Sequence, residues 1–216
     1  MAHLAPSPVP QPAPDAATHP ATPAQPRRIG VLALQGAVRE HADAIRAIGA
    51  EPVLVRRAAD LEGLDALILP GGESTTMRKL MDRYGLREPI RRMAAGGMPM
   101  FGTCAGMILL ARQVDDDTDS ALGVLDVAVQ RNAYGRQLAS YESDLEIPVL
   151  GEEPLHGVFI RAPVVTALGD GVEVLARDAA GRPIAVRQGK VLATAFHPEL
   201  TADRRLHRLL LEMVET

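Results

Sequence analysis

Continuous apolar runs alternate with amphipathic stretches through the first half of this 216-residue chain, and that alternation restricts the fold to an α/β sheet. Residues 29–34, Ile29-Gly30-Val31-Leu32-Ala33-Leu34, form an unbroken apolar run that ends at Gln35-Gly36. A helical pattern over 37–48 follows and stops at Gly49. Further apolar runs at 52–55 and 65–69 read as buried strands, the second leading into Pro70-Gly71-Gly72-Glu73-Ser74. Helical segments at 75–83 and 86–95 precede a short strand at 98–101. This half is doubly wound, with helices on both faces of a parallel sheet. The second half differs: strand-like runs at 122–129, 156–161, 172–177, 184–187 and 191–196 are joined by turns, which points to antiparallel hairpins extending the sheet. A last helix over 202–214 carries Leu206, Leu209, Leu210 and Met213 on one face, with Thr201 as its expected N-cap. There is no internal repeat and no sign of a second domain. The expected fold is one α/β domain with a mixed, mostly parallel sheet.

Eight of the 17 prolines fall in the first 26 residues, where Asp15 is the one charged side chain. Such a segment cannot bury enough surface to offset chain entropy. Residues 1–28 are therefore read as a Pro-rich disordered extension and 29–216 as the domain. The net charge of −4 excludes a nucleic-acid binder driven by bulk basic charge. No run is long enough to span a bilayer, and the N-terminus has neither a basic segment nor a continuous apolar one, so no membrane association and a cytoplasmic setting are expected. Cys104 is the single cysteine, which excludes an intrachain disulfide.

Phe101-Gly102-Thr103-Cys104-Ala105-Gly106 stands between a strand and a helix-compatible run, Met107-Ile108-Leu109-Leu110-Ala111. It is a Gly-x-Cys-x-Gly form of the nucleophile elbow, whose small flanking residues permit a tight turn with a strained central residue. The turn sets the sulfur at a helix N-terminus, where the dipole and unpaired amides favour thiolate and the Ala105 amide can help hold an oxyanion. A lone cysteine is ordinarily an inert small hydrophobe. The strand-turn-helix context is what makes Cys104 a candidate nucleophile.

A cysteine nucleophile needs a base. Of the six histidines, His3 and His19 lie in the extension, and His41 and His207 read as surface positions on helices. His156 begins a strand after an acidic loop and stays a second candidate. His197 ends a strand and is followed by Pro198-Glu199. The residue before proline is pushed towards extended dihedrals, so His197 and Glu199 should project to the same side as positions i and i+2 of an extended segment. Glu199 could then hold one ring nitrogen and leave the other facing the thiol. Alone, His-Pro-Glu is an ordinary loop string; with the elbow it completes a Cys-His-Glu set.

These residues resemble those of class I (triad) glutamine amidotransferases. Five further strings narrow the resemblance to the PdxT family, the glutaminase subunits of pyridoxal 5'-phosphate synthase: GVLALQGAVREH at 30–41, LPGGESTT at 69–76, QRNAYGRQ at 130–137, GVFIRAP at 157–163 and FHPELT at 196–201. The resemblance implies a flavodoxin-like fold and hydrolysis of L-glutamine to L-glutamate and ammonia. The ammonia would pass to a PdxS-like (β/α)8-barrel synthase subunit within a large heteromeric complex. No cofactor is implied for this chain, pyridoxal 5'-phosphate being the product of the complex, and no metal. By the same resemblance Cys104 attacks the amide, His197 shuttles protons and Glu199 orients it. Gly72, Glu73 and Ser74 match a glutamine-contacting segment, Gly72 with Ala105 framing the oxyanion hole, and Arg131, Ile160 and Arg161 match further glutamine-contacting positions.

The chemistry of glutamine is consistent with this set, because its carboxylate wants a guanidinium or amide donors. Solvated structural arginines are the ordinary alternative for Arg131 and Arg161, and a helix N-terminal acid beside a Ser74 cap is the alternative for Glu73. Asp115-Asp116-Asp117-Thr118-Asp119 lacks the alternating spacing of a calcium loop and reads as a solvated loop. Pro70-Gly71-Gly72 has no following Gly-Lys-Ser/Thr, so nucleotide use is not indicated. The Gln35-Gly36 turn is a candidate part of the docking edge for the synthase, which would complete the oxyanion hole of an otherwise idle subunit. Two rival readings are a glutaminase that feeds another acceptor, such as that of imidazole glycerol phosphate synthase, and a non-catalytic module that keeps the elbow as a structural turn. The strings around Gln35 and Arg131 speak against the first, the intact Cys-His-Glu set against the second.

Overall fold

The computed structural model describes residues 25–115, 122–131 and 140–215. The apolar runs become parallel strands: β1 (Arg28–Leu32), β3 (Ala66–Leu69), β4 (Met100–Thr103) and β12 (Val191–Thr194) are buried on both faces, whereas β2 (Glu51–Val55), expected to be buried, is the edge strand and fully buries only Val55. Two further strands, β10 (Glu173–Arg177) and β11 (Pro183–Gln188), complete a seven-stranded sheet of order β10-β11-β12-β4-β3-β1-β2. Strand β11 runs against both its neighbours, so the antiparallel extension lies at this edge. Arg28 already pairs with Glu51, and its amide donates to Asp65 at 2.7 Å.

Helix α1 (Val38–Ala47) buries His41, Ala42, Ala44 and Ile45, and α5 (Arg205–Glu215) buries Leu206, His207, Leu209, Leu210 and Met213. Both reach Phe101 of β4 through His41 and His207, so they share one face of the sheet. Along β4 the side-chain direction alternates. A Cβ on Gly102 would point the other way, into Gly106 and Leu110, and α4 (Ala105–Leu110) therefore covers the opposite face, with α2 (Ser74–Arg83) packed against it. Helix α3 (Arg87–Ala95) leads back to β4.

Among the elements, the structure differs from the sequence reading in several places. The runs at 122–129 and 156–161 do not extend the central sheet. They become β6 (Leu125–Gln130), which joins β5 (Ala111–Val114) and β9 (Val164–Leu168), and β8 (Leu155–Ile160), which pairs with β7 (Ser140–Leu145) in a two-stranded ribbon. Their burial alternates, as suits strands with one covered face, whereas the central strands are covered on both. The last helix begins at Arg205 rather than 202. Thr201 accepts from the Asp203 amide, and it is the Asp203 carboxylate that accepts from the Arg205 amide. Finally, Glu73 rather than Ser74 caps α2, accepting from the amides of Thr75 and Thr76 at 3.3 and 2.7 Å. Residues 1–24, Asp116 to Asp119 and the string after Arg131 lie outside the described residues.

Candidate active site

From β1 the chain steps outward to β2 and then returns to the other side of β1 as β3, so the strand order reverses between β1 and β3. Loops at the carboxyl ends of the strands diverge at such a point and leave a crevice. Here they bring together Gln35-Gly36 after β1, Gly71-Gly72-Glu73 after β3, Cys104 after β4 and His197 after β12. The Gln35 side chain accepts from the Glu73 amide at 2.7 Å and ties the first two loops to each other.

Cys104 takes φ 48 and ψ −102, a strained conformation for a residue with a Cβ, costing about 1–3 kcal/mol that the surroundings must hold. Its amide is fixed by the Thr194 carbonyl at 2.8 Å. Gly106 lets the following helix approach β3: a Cβ there would collide with the Leu69 carbonyl. The sulfur faces the Ile160 carbonyl at 3.7 Å, so the β7–β8 ribbon forms one wall of its surroundings. Ala105 is the first residue of α4, and its amide is among those that have no intrahelical acceptor.

His197 is only 7% exposed, and Glu199 only 3%. The His197 Nδ1 lies 2.8 Å from Glu199 Oε1, as the spacing requires, but not by way of an extended segment: Pro198–Leu200 is a single 3-10 turn. Proline starts that turn with its fixed φ, and the turn folds the carboxylate back onto the ring. Burial opposes a charge on His197, yet hydrogen bonds to Cys104 and Glu199 outweigh it and raise its pKa to about 10. Burial likewise opposes ionisation of Glu199, but His41 and the hydrogen bond from His197 hold its carboxyl well below the usual range. Cys104, His197 and Glu199 thus stand in series, with the imidazole between the sulfur and the carboxylate. His156 is not part of it: on the exposed ribbon its nitrogens pair with Asp144 and Glu142, both at 2.9 Å.

A cleft of about 450 Å³ opens beside Cys104 and His197. Its walls include Gly72, Glu73, Ser74, Arg131, Ile160 and Arg161, so the candidate glutamine-contacting residues converge on one space. The Glu73 carboxylate is engaged in capping α2, and its amide is held by the Gln35 side chain. Arg161 has φ 43, which turns the chain sharply after β8.

Four cleft residues escaped the sequence reading of the pocket: Gln35, Thr75, Ile108 and Asp115. Asp115 is no solvated loop residue. Its carboxylate accepts from Arg131 Nε and the Arg131 amide at 2.7 and 2.8 Å, while an Arg131 terminal nitrogen donates to Thr75 at 3.3 Å. The Asp run hid this pairing, because nothing in consecutive carboxylates marks which one turns inward.

His41 and His207 also depart from expectation, being fully buried rather than on the surface. Each gives the other a partner: His41 Nδ1 lies 3.0 Å from His207 Nε2, and His41 Nε2 lies 3.1 Å from the Thr103 hydroxyl. No helix among the described residues is long and apolar enough to cross a membrane.

The sequence profile of the SNO glutamine amidotransferase family matches residues 31–216. A pyridoxal 5'-phosphate synthase subunit PdxT from Desulforudis audaxviator is 55% identical over 188 residues, covering 87% of this chain and 99% of its own length. The PdxT of Acidothermus cellulolyticus is 58% identical over 193 residues, covering 87% of this chain and 93% of its own. Among solved structures, one described as a glutamine amidotransferase superposes with a TM-score of 0.82 at 53% identity, covering 87% of this chain and 99% of the other. PurLQS from Thermotoga maritima, at 19% identity and a TM-score of 0.64 over 87% of this chain and 98% of the other, shares the fold alone. The elbow cysteine, the histidine after β12 and the cleft between them thus sit on a scaffold matched along nearly its whole length, and the chain belongs to the SNO glutamine amidotransferase family.

Proposed function

We propose that this chain is the glutaminase subunit of a pyridoxal 5'-phosphate synthase: it hydrolyses L-glutamine to L-glutamate and ammonia, and the ammonia serves vitamin B6 biosynthesis. The observation that carries the reading is the position of His197, wedged between Cys104 and Glu199 at the floor of the cleft. The Cys104 thiolate attacks the side-chain amide carbon of glutamine. The negative oxygen that develops is held by the amides of Gly72 and Ala105. His197, protonated at the outset, delivers its proton to the departing nitrogen, so that ammonia leaves and a glutamyl thioester remains on Cys104. Neutral His197 then takes a proton from water, which attacks the thioester and releases glutamate. Glu199 holds the imidazole in register through both steps. Arg131, clamped by Asp115, and Arg161 meet the α-carboxylate of glutamine, with Glu73, Ser74 and Ile160 shaping the remaining contacts. The reaction runs on side chains of this chain and needs no cofactor; pyridoxal 5'-phosphate is the product made downstream.

Ammonia released into water near neutral pH is protonated and loses its nucleophilicity, so hydrolysis is useful only when coupled to its consumer. The partner in this reading is a PdxS-like (β/α)8-barrel synthase subunit, assembled with this chain in a large cytoplasmic complex. Its docking edge includes the Gln35-Gly36 turn, which is tied directly to the Gly72-Glu73 loop. Docking would therefore set the oxyanion amides, and the isolated subunit would turn over slowly. An electrophilic glutamine analogue tests the reading: with synthase present it should label Cys104 alone, and excess glutamine should protect. Labelling that glutamine does not slow would overturn it.

A further inference from the structure

Behind Glu199, on the side away from the cleft, lies a buried polar chain that the three-residue mechanism does not use. His41 Nε2 sits 3.5 Å from Glu199 Oε2, and both side chains are fully buried. The Thr103 hydroxyl lies 3.3 Å from Glu199 Oε1 and 3.1 Å from His41 Nε2, and it accepts from the Gly71 amide at 3.0 Å. The far nitrogen of His41 meets His207 Nε2 at 3.0 Å. These groups come from α1, β4, the loop after β3 and α5, and all converge on one carboxylate.

The donor inventory sets the direction of the bonds. An ionised carboxylate only accepts. The Thr103 oxygen already accepts from Gly71, and its single proton serves Glu199 Oε1. His41 Nε2 must therefore carry a proton and donate towards Thr103 and Glu199 Oε2. Among the described residues Oε2 has no hydrogen bond of ordinary length, so His41 is what faces that oxygen. A buried carboxylate with one unsolvated oxygen is costly unless a donor or positive charge compensates it.

We propose that His41, backed by His207, is a positioning residue for the glutaminase reaction: with Thr103 it holds the Glu199 carboxylate ionised and aimed at His197, and it couples that acid to the Gly71 amide of the oxyanion loop. The proposal rests on the Cys-His-Glu reading of the site. Other charged groups near the pair are Asp203 and Arg204, which precede α5 and act on His207 with opposite sign. Burial and the neighbouring His41 depress the His207 pKa to about 3, which keeps that ring neutral as the outer partner.

The test is glutaminase turnover of the full chain with its cognate synthase subunit. His41→Leu should lower kcat about 10- to 100-fold, the factor expected for one lost hydrogen bond to a charged group, with KM for glutamine little changed. His41→Gln keeps a donor at the Nε2 position and should restore most of the loss. The acid limb of the rate profile should move to higher pH in His41→Leu, because Glu199 protonates more easily without that donor. In a Glu199→Gln background, His41→Leu should cost less than about threefold more, since residues acting through one another are not additive. If His41→Leu fails to fold, His207→Leu provides the same comparison, with a smaller loss that Glu199→Gln again abolishes. Wild-type turnover in His41→Leu, or a full additional loss in the Glu199→Gln background, would overturn the proposal. Wild-type turnover in Glu199→Gln alone would instead overturn the triad reading beneath it.

Discussion

Gly71→Ala is the sharpest mechanical probe of the site, because Gly71 touches His197, the proposed base, rather than Cys104, the proposed nucleophile. A Cβ built on Gly71 would lie 2.7 Å from His197 Nδ1 and closer still to Cε1. Ordinary van der Waals contact begins at 3.4 Å, so either the imidazole or the Gly71 loop must retreat by about 1 Å. The ring has little room to do so, held by Glu199 at 2.8 Å on one side and by Cys104 on the other. The loop is no freer: the Gly71 amide is bound to Thr103 and its carbonyl to the Ala37 amide, each at 3.0 Å. A displacement of about 1 Å in a reacting group costs on the order of 10²-fold in rate. Overpacking one methyl costs about 1–3 kcal/mol of stability, or a fall in Tm of about 2–12 °C for a domain of this size. Steady-state glutaminase assays with the synthase subunit, alongside thermal unfolding, separate the two effects. We expect kcat to fall about 100-fold in a protein that still unfolds cooperatively. A folded Gly71→Ala protein with kcat within about twofold of wild type would refute the packing of His197 described above.

Other changes act on charge and binding. Glu199→Gln should lower the His197 pKa from about 10, as read by NMR of labelled histidine, because the opposite charge that raises it is lost and the remaining amide oxygen accepts only a neutral hydrogen bond. A folded-state histidine pKa above its ordinary 6.5 contributes stability that is full below 6.5 and lost as pH rises through about 10, so wild-type stability should decline across that window and Glu199→Gln should flatten the decline. For His207 the sign reverses. Its folded pKa of about 3 lies below 6.5, so the unfolded chain binds the extra proton and stability falls as pH drops from 6.5 towards 3; His207→Leu should weaken that dependence in acid unfolding curves. Asp115→Ala releases the guanidinium of Arg131 and should raise KM for glutamine about 3- to 10-fold with little change in kcat, which steady-state kinetics would resolve.

The elbow was legible because its requirement is local: a strained residue between a strand and a helix needs small neighbours, and Gly102, Ala105 and Gly106 are adjacent to Cys104 in the chain. The parallel sheet was legible for a similar reason, since strands covered on both faces must be apolar throughout, as residues 66–69 are. Strand β7, Ser-Tyr-Glu-Ser-Asp-Leu, gives no such signal, because it is paired only with β8 and turns polar side chains to solvent. Strand β5 holds only four residues, two of them exposed. The network behind Glu199 is invisible for a further reason. A histidine on a charged helix reads as exposed unless its partner is known, and the partner of His41 is 166 residues away. Asp115 and Arg131 are likewise joined by the fold across a separation of 16 residues. Local sterics can be read from a string, but a polar side chain buried through distant partners cannot.

The central claim is that Cys104 releases ammonia that the partner consumes, and Cys104→Ala assayed for pyridoxal 5'-phosphate formation with the cognate synthase tests it most directly. With glutamine as nitrogen source, product formation should fall to background; with an ammonium salt at alkaline pH, it should match the wild-type complex. Glutamine-dependent formation that survives the substitution would contradict the account.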